Sequence, residues 1–413
     1  MSVLSGKKIV LGISGGIAAY KTATLVRLFI KAGAHVQVIM TPASKDFITP
    51  LTLSTLSKRP VFSSFYNEEE TLNSEVENPN QNLEWNNHVE IGLWADLMVI
   101  APATANTLSK MVNGICDNLL IATYLSAKCP IFFAPAMDLD MYKHQSTIES
   151  FNKLKSFGNT IIPAESGELA SGLSGEGRMA EPENIITFIE NKIESELPLK
   201  GKKFLITAGP TYEAIDPVRF IGNHSSGKMG YDLALSAANY GASVILISGP
   251  TQMSISHELV QLININSADE MFVQCHNYFK TSDVFIGAAA VADYKPKYPA
   301  LHKIKKSEES LVIELEKNKD ILESLGLIKE KQYLIGFALE TENEIENAKL
   351  KIQKKNLDLI VLNSLQDKGA GFGGTTNKVT LIDSNFNVSP MELKSKEEVA
   401  NDILIKIIAH YEA

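Results

Sequence analysis

The sequence predicts an α/β protein with two doubly wound, Rossmann-like domains, of which the second has a mostly parallel sheet. Short β-branched strands alternate with helical segments along the chain, which is typical of parallel sheets with right-handed crossovers. The chain has 413 residues, more than one hydrophobic core normally serves. After a polar stretch, "KKFLITAGP" (202–210) resembles a new first strand, so we place the domain boundary near residue 195 and expect domains 1–195 and 196–413.

The first half opens with a strand–helix–strand unit. "KKIVLGIS" runs into a glycine turn, and "IAAYKTATLVRLFIKAG" has helical periodicity before the strand "HVQVIM". Further strands are predicted at "DLMVIAPA", "CPIFFAPA" and "NTIIPA". Residues 67–82 are acidic, rich in asparagine and poor in large apolar side chains, which predicts a mobile surface loop.

The second half repeats the alternation with different segments. Strands are predicted at "SVILISG", "DVFIGAAA", "YLIGFALET" and "LDLIVLNS", and helices at "KMGYDLALSAANYG" and "ENEIENAKLKIQKKN". "NKVTLIDS" predicts one added late strand. The two halves are therefore two similar domains and not an array of short repeats.

Composition and charge exclude several classes of protein. A net charge of -9 and a pI near 5.5 argue against general affinity for nucleic acid or anionic membranes, so we expect neither partner. The sequence lacks an apolar run of about 18 residues, the length that a transmembrane helix needs. Cys116, Cys129 and Cys275 have unrelated spacings, which indicate no disulfide framework and no metal site, and the expected location is the reducing cytoplasm.

Residues that follow strands are the candidate site residues, because ligands of doubly wound sheets bind beyond the carboxyl ends of strands. "GISGGIAAYK" (12–21) places small residues and a helix N-terminus after the first strand, which suits a phosphate. It lacks the GxGxxG spacing, so a tight turn without a ligand remains an alternative. "APATANT" (101–107) follows the next strand and either contacts a ligand or only caps a helix.

Two further features of the first half carry titratable groups. His88 lies at a predicted helix start in "WNNHVEIGLWAD", where a structural role is the alternative to catalysis. "PAMDLDMY" (135–142) places Asp138 and Asp140 directly after a hydrophobic strand. These acids could form a metal pair, cap a helix or belong to a substrate pocket.

Together these segments resemble the flavin-dependent cysteine decarboxylases, in particular phosphopantothenoylcysteine decarboxylase. The resemblance rests on "SGGIAAYK", "HVEIGLWADLMVIAPATANTLSKMVNGICDNLL", "PAMDLDMY" and "GEGRM", in order and spacing. It implies a flavodoxin-like fold with bound FMN, which oxidises the thiol side of the substrate so that carbon dioxide can leave. His88 matches the essential histidine of the family and would act as the base. The FMN-binding residues that it implies are Gly15, Gly16, Ile17, Thr41, Ala103, Thr104, Ala105 and Asn106.

Two positions depart from this family. Asp138 stands where the family has an asparagine that contacts the substrate carboxylate; an ionised Asp138 would repel that group, whereas a protonated one could donate a hydrogen bond. Ser171, in "LASGLSGEGRM", stands where the family has a cysteine that protonates the product. Serine is a much weaker acid, so either Ser171 positions a water, another group donates the proton, or the reaction is slow. We expect Asp140 to cap the helix "MYKHQSTIESFNKL".

In the second half, polar segments again follow strands. "NHSSGKMG" (223–230) places Ser225, Ser226 and Gly227 at a helix N-terminus, which suits an anion or serves only as a cap. "AAAVADYKP" and "HKIKK" supply Asp293 and several lysines, which form a phosphate clamp or a solvated loop. "GFALET" supplies a phenylalanine ring that could stack on a base. The lysines of "AKLKIQKKN" share one helix face, where a merely solvated mixed-charge surface is the alternative.

This half resembles phosphopantothenate–cysteine ligase, and the order of the halves is similar to that of bacterial bifunctional decarboxylase/ligases. The resemblance implies that CTP, with Mg²⁺, activates phosphopantothenate as an acyl-cytidylate, and that cysteine then displaces CMP. Asn223 matches the residue that stabilises the acyl-nucleotide, and Lys303 the lysine needed for attack by cysteine. The family's "NPDI" is "NKDI" here, a change expected to preserve activity. The nucleotide contacts implied are Ala289, Asp293, Lys303, Lys319, Asp320, Ile321, Leu322, Phe337, Lys351 and Lys355.

The resemblance also implies a homo-oligomer, with trimeric decarboxylase and dimeric ligase domains that could combine into a dodecamer. One alternative keeps the ligase but reduces the first half to an FMN-binding assembly module, because of Asp138 and Ser171. A non-enzymatic regulatory flavoprotein is a second alternative. A nicotinamide oxidoreductase is a third, against which the absence of GxGxxG in both halves argues.

Overall fold

The computed structural model describes residues 2–66, 85–168, 172, 174–305, 311–340, 342–364 and 374–412. The chain divides into two compact units, Met1–Ser195 and Glu196–Ala413. The predicted surface loop at 67–82 lies outside the described residues. Among the helices of the described ranges, none is long and apolar enough to cross a membrane.

A five-stranded parallel sheet forms the centre of the first unit. Its strands are β1 Lys8–Ile13, β2 His35–Met40, β3 Leu97–Ala103, β4 Ile131–Pro135 and β5 Thr160–Ile161. Their order is β2-β1-β3-β4-β5, which reverses between β1 and β3. This is the flavodoxin-like order, so the predicted fold of the first half is confirmed.

Helices and one hairpin complete the first unit. A 3₁₀ turn at Ile17–Lys21 precedes the first α-helix, a second spans Pro42–Asp46, and the antiparallel hairpin pairs β6 Glu165–Glu168 with β7 Ser174–Arg178. The helices are α1 Thr22–Lys31, α2 Pro50–Ser57, α3 His88–Trp94, α4 Ala105–Asn113, α5 Leu119–Ser126, α6 Leu139–Lys143, α7 Gln145–Ser156 and α8 Pro182–Ser195.

The sheet of the first unit is buried on both faces, because alternate side chains enter different apolar clusters. In β1, Ile9, Leu11 and Ile13 belong to one cluster and Val10 to the other, and all four are fully buried. Helices α1 and α8 cover the first face, and α4, α5 and α7 cover the second. The near-continuous apolar runs of the sequence arise from this two-sided burial.

The second unit contains a mixed eight-stranded sheet. Its strands are β8 Lys203–Ala208, β11 Ser243–Ser248, β12 Val260–Asn264, β13 Val284–Gly287, β16 Tyr333–Glu340, β17 Leu359–Ser364, β19 Val379–Asp383 and β20 Val388–Pro390. The order is β12-β11-β8-β13-β16-β17-β19-β20, parallel from β12 to β17 and antiparallel beyond. The mostly parallel, doubly wound sheet and its added late strand β19 are thus confirmed.

The second unit also contains short antiparallel pairs of strands, which the sequence patterns did not predict. They are β9 Tyr212–Ala214 with β10 Phe220–Gly222, β14 Tyr294–Pro296 with β15 Leu315–Lys317, and β18 Thr376–Asn377 with β21 Lys394–Ser395. Two or three residues are too few to show a period of two. The helices are α9 Lys228–Asn239, α10 Ala268–Phe279, α11 Ile321–Leu327, α12 Glu344–Lys355 and α13 Lys396–Glu412.

Gly249 tests the close packing of the turns beside the central strands. A Cβ atom at Gly249 would lie 1.6 Å from the carbonyl oxygen of Pro210, so the backbone would have to move. We expect Gly249→Ala to lower the free energy of unfolding of the second unit by about 1–3 kcal/mol. Urea denaturation followed by circular dichroism measures this change.

Gly374→Ala is the matched control, because the nearest atom to its added Cβ lies 3.9 Å away. The control should shift the unfolding free energy by less than about 0.5 kcal/mol. Equal denaturation midpoints for the two variants would show that the turn at Gly249 tolerates a side chain.

Candidate active sites at the two sheet reversals

In the first unit, a cavity of about 500 Å³ lies beyond the carboxyl ends of β1 and β3, where the strand order reverses. Ligands of doubly wound sheets bind at this position. The residues that line the cavity come from the turns after four strands and from the helices that follow. They are Gly15, Thr41, Pro42, Ala43, Thr104, Ala105, Asn106, Thr107, Lys110, Asp117, Asn118, Ala136, Met137 and Met141.

Ser14 joins the two turns that flank the cavity. Its hydroxyl donates to the carbonyl of Pro102 at 2.6 Å and accepts from the backbone N–H of Thr104 at 3.0 Å. A Cβ at Gly15 would lie 2.9 Å from the carbonyl of Ala43, so only glycine allows the turns after β1 and β2 to approach so closely. The turns after β1, β2 and β3 are therefore held close together beside the cavity.

Thr104 both caps a helix and lines the cavity. Its hydroxyl accepts from the backbone N–H of Thr107 at 3.4 Å, at the start of α4. Ala105 and Asn106 belong to the first turn of the same helix and also face the cavity. The two readings of "APATANT", as a cap and as a cavity wall, therefore describe the same residues.

Thr41 provides a test of whether the cavity fits a ligand with polar groups. Its side chain is 8% exposed, and its hydroxyl is buried without a hydrogen-bond partner among the described residues. Buried polar groups are nearly always paired, so an orphaned hydroxyl in a cavity wall suits a ligand that supplies the partner. The cavity fits a cofactor such as FMN in this respect.

The predicted flavin residues divide into two groups. Gly15, Thr41, Thr104, Ala105 and Asn106 line the cavity. The other three residues do not line it. Gly16 has an extended backbone and lies beside Thr104, and the Ile17 side chain is 60% exposed. Ala103 is buried in β3.

The wall also contains Lys110, Asp117 and Asn118, which the sequence reasoning did not single out. Lys110 pairs with Asp117 at 2.5 Å and lowers the pKa of that carboxyl, and Asn118 donates to Asp117 at 2.8 Å. The segment "KMVNGICDNLL" contains all three residues and was already part of the resemblance, which was the available signal.

His88 is the first residue of α3 and does not line the cavity. Its ring makes T-shaped contacts with the rings of Phe65 and Trp85, whose centroids lie 6.0 and 5.8 Å from the imidazole centroid. Its Nδ1 atom is buried and has no hydrogen-bond partner in the part of the chain that the structure describes, which is unusual for a purely structural histidine. The imidazole is thus held by apolar contacts, with one nitrogen available.

Asp138 occupies the N-cap position of α6, but its side chain makes no capping hydrogen bond. Asp140 is exposed within the first turn of α6, so the expectation that it caps the following helix is wrong. The predicted helix is broken at His144, whose ring accepts from the N–H of Ser146 and so caps α7. A cap lies one residue before its helix; that position is Asp138 for α6 and His144 for α7, whereas Asp140 lies within α6.

The hairpin β6–β7 contacts the turn that carries Asp138. The backbone N–H of Met137 donates to the carbonyl of Gly177 at 3.0 Å, and a Cβ at Gly177 would lie 2.5 Å from the Met137 carbonyl. Gly177 has φ 137°, which also favours glycine. Ser171 lies outside the described residues. In the described ranges, no group of three or more side chains could hold a metal ion.

In the second unit, the strand order reverses between β8 and β13. The segments that follow these strands are linked by the backbone N–H of Ala290, which donates to the carbonyl of Gly209 at 2.9 Å. The side-chain amide of Asn223 donates to the carbonyls of Ala290 and Val291 at 3.2 and 3.0 Å. Asn223 is therefore fixed at the reversal, next to the segment that leads to exposed Asp293.

The serines of "NHSSGKMG" form local hydrogen bonds at the start of α9. The Ser225 hydroxyl accepts from the N–H of Gly227 at 3.3 Å, and the Ser226 hydroxyl from the N–H of Lys228 at 3.4 Å. Gly227 has φ 78°, a left-handed conformation that favours glycine. Gly227 itself occupies the N-cap position of α9, and no side-chain capping hydrogen bond is described there, so the serines do not act as the cap. The anion role of this segment stays a prediction.

Lys303 is exposed, and the residue after it is anchored by the buried carboxylate of Asp216. Burial pushes the pKa of Asp216 upwards, but the N–H donors of Val218, Ile304 and Arg219 outweigh it and lower the pKa to about 2. Asp216 therefore stays ionised at neutral pH. Sequence reasoning missed Asp216 because Ile304 is 88 positions away along the chain.

The predicted nucleotide lysines already have anionic partners. Lys351 pairs with Glu340 at 2.5 Å, and Lys355 pairs at 2.7 Å with Asp320, which also caps α11. Lys319 lies 4.8 Å from the centroid of the Phe272 ring. Both carboxylates lie outside α12, at the end of β16 and before α11, so the two lysines connect α12 to its neighbours.

The remaining predicted contacts lie within or beside the sheet. Phe337 is half-buried against the apolar core, and the N–H of Ala289 donates to the Thr207 hydroxyl at 3.2 Å. Ile321 is 7% exposed, and the Leu322 side chain packs against the backbone of β13.

Comparisons with known proteins cover both units. The family model "Flavoprotein" matches residues 2–194, and the "DNA/pantothenate metabolism flavoprotein C-terminal domain" matches residues 199–411. The chain is 42% identical to the coenzyme A biosynthesis bifunctional protein CoaBC of Bacillus subtilis (strain 168), over 98% of each chain.

Two other similarities concern a differently named relative and a single domain. A cysteine/cysteine sulfinic acid decarboxylase from an unknown prokaryotic organism is 51% identical over 87% of this chain and 99% of the relative. A solved C-terminal domain of a CoaBC protein is 45% identical, covers 52% of this chain and 99% of that chain, and superposes with a TM-score of 0.46.

The two family models match the two units in turn along the chain, and the similarity to the bifunctional protein extends over both units. The chain belongs to the family of bifunctional coenzyme A biosynthesis flavoproteins.

Proposed function

We propose that the chain catalyses two consecutive steps of coenzyme A biosynthesis. Domain 196–413 condenses phosphopantothenate with cysteine in a CTP-dependent reaction, and domain 1–195 decarboxylates the product to phosphopantetheine. The observation that carries this proposal is the 42% identity to the Bacillus subtilis bifunctional protein across 98% of both chains. The match therefore covers both units of this chain.

FMN is the cofactor proposed for the first unit. The turns at Gly15 and Thr104, the first turn of α4 and the unpaired Thr41 hydroxyl would hold it. Bound FMN would supply reversible oxidation beside the carbon that loses carbon dioxide. His88, with one unpaired ring nitrogen, is proposed to accept and return a proton on the substrate.

The second unit needs to activate a carboxylate, because a carboxylate does not form an amide unaided. CTP with Mg²⁺ is proposed to do this by forming an acyl-cytidylate. Asn223 would stabilise that intermediate, and Lys303 would assist attack by the cysteine amine. Lys351 and Lys355 would exchange their carboxylate partners for phosphate oxygens when the nucleotide binds.

We also propose a homo-oligomer, with trimeric decarboxylase and dimeric ligase domains. The support is the apolar surface of the first unit around His88, where Trp85, Val89 and Leu93 are 52%, 43% and 58% exposed. Exposed apolar groups of this kind are typical of protein interfaces.

A second candidate for the first unit is direct decarboxylation of cysteine or cysteine sulfinic acid. The relative named for that activity is 51% identical, and the chain spans 99% of it. Asp138 supports a pocket that differs from the resembled decarboxylases, because an acid replaces the amide that contacts their substrate carboxylate. This candidate leaves the proposal for the ligase unchanged.

Product analysis tests the proposed function. With phosphopantothenate, cysteine and CTP, we expect mass spectrometry to detect first phosphopantothenoylcysteine and then phosphopantetheine. Accumulation of phosphopantothenoylcysteine alone would reduce the first unit to an assembly module. Decarboxylation of cysteine sulfinic acid in preference to phosphopantothenoylcysteine would favour the second candidate.

Thr41→Val tests the flavin site without relying on turnover. It removes a hydroxyl that has no partner within the described ranges but would bond to the cofactor, so FMN affinity should fall by about tenfold, the effect of about 1.4 kcal/mol. Quenching of FMN fluorescence measures the affinity. Thr55→Val is the control, because the Thr55 hydroxyl donates to the Leu51 carbonyl within α2 and Thr55 does not line the cavity. Equal affinity for both variants would contradict the placement of FMN at Thr41.

Asp138→Asn and Asp138→Ala test the substrate pocket. Asn restores the amide of the resembled family and should retain or raise the rate of decarboxylation, whereas Ala should abolish it because no group remains to contact the carboxylate. Release of carbon dioxide from phosphopantothenoylcysteine is the measurement, and exposed Asp140→Ala is the control. Normal decarboxylation by Asp138→Ala would show that the acid is only structural.

A further inference from the structure

One buried carboxylate joins the segment that carries Lys303 to the hairpin that precedes Asn223. The Asp216 side chain is completely buried and accepts four hydrogen bonds. Its Oδ1 atom accepts from the backbone N–H groups of Val218 and Arg219, both at 2.8 Å. Its Oδ2 atom accepts from the Arg219 guanidinium at 2.6 Å and from the N–H of Ile304 at 3.1 Å.

The bond to Ile304 is the one that leaves the local turn. Val218 and Arg219 follow Asp216 directly, so their N–H groups only close the turn between β9 and β10. Ile304 lies next to Lys303, and its carbonyl accepts from the Arg219 guanidinium at 3.3 Å. The N–H of Ala300 also donates to the carbonyl of Ile215 at 2.9 Å. Residues 300–304 are thus attached to the turn at three points.

The same hairpin leads into Asn223. Strand β10 ends at Gly222, and Asn223 then donates to the segment after β13. The rings of Tyr212 and Phe220 stack across the hairpin, with centroids 3.8 Å apart. The hairpin therefore connects the two side chains that the proposed ligase reaction uses.

We propose that Asp216 is a positioning residue of the ligase: it fixes the Ile304 backbone so that Lys303 is held at a constant distance from Asn223. Asp216 is buried and acts through the backbone, without touching the substrate. The inference rests on the proposed ligase function. Since a small misplacement of a catalytic group can cost orders of magnitude in rate, loss of the anchor should affect the step that needs Lys303.

Asp216→Asn removes the anchor with little change in shape. Its amide oxygen can still accept from the turn, but its NH₂ group then faces the Arg219 guanidinium and the Ile304 N–H, which are both donors. The control is Asp383→Asn in the same unit. Asp383 likewise accepts backbone N–H groups from a tight turn, those of Asn385 and Asn387 at 3.0 and 2.9 Å, at the far side of the sheet.

The test combines hydrogen exchange with the two half-reactions. In Asp216→Asn, amide exchange of residues 300–305 should rise, and the cysteine-dependent release of CMP should slow by about 10- to 100-fold. Release of pyrophosphate without cysteine, which reports formation of the acyl-cytidylate, should persist. Asp383→Asn should change neither exchange at 300–305 nor either half-reaction.

Asp216→Ser separates the anchor from the turn if Asp216→Asn folds poorly. A serine hydroxyl can still accept from the N–H groups of the turn but is too short to reach Ile304. Faster exchange at 300–305 and a slowed cysteine step in this variant support the inference. Unchanged exchange in both variants overturns it, whatever the activities. Failure of the unaltered protein to release pyrophosphate contradicts the proposed ligase function instead.

Discussion

The reversal of strand order is the constraint on which both candidate sites depend. Where the order of a parallel sheet reverses, the connections of two neighbouring strands depart to opposite faces and leave a crevice at their carboxyl ends. In the first unit, this crevice is the cavity between Gly15 and Thr104. In the second unit, the segments after β8 and β13 meet at the equivalent place and carry Asn223 and Asp293.

Crevices of this kind need small residues and cross-links, because loops from different strands meet there. Ser14 bonds the turns after β1 and β3, and Gly15 allows contact with Ala43. In the second unit, Asp216 and Asn223 make the corresponding links with side chains. The Thr41 hydroxyl lines the first crevice and has no hydrogen-bond partner among the described residues, which indicates where a ligand would complete the bonding.

The fold could be predicted because burial on both faces leaves apolar runs in the sequence, as in β1 and β3. The strand predicted at "NTIIPA" spans only Thr160–Ile161 in the structure, because it forms the edge of the sheet and Pro163 lacks an N–H donor. The sequence also predicted the turns after β1 and β3 that line the cavity of the first unit. Asp216 was not predicted, because its role depends on a contact with a distant segment that no local pattern encodes.

The most direct test of the central claim is release of labelled carbon dioxide from carboxyl-labelled cysteine. If the two units act in sequence, the label is released only when phosphopantothenate and CTP are both present, because cysteine must first be joined to phosphopantothenate. Release of the label from cysteine alone, at the same rate without either substrate, would contradict the account and identify the first unit as a decarboxylase of the free amino acid.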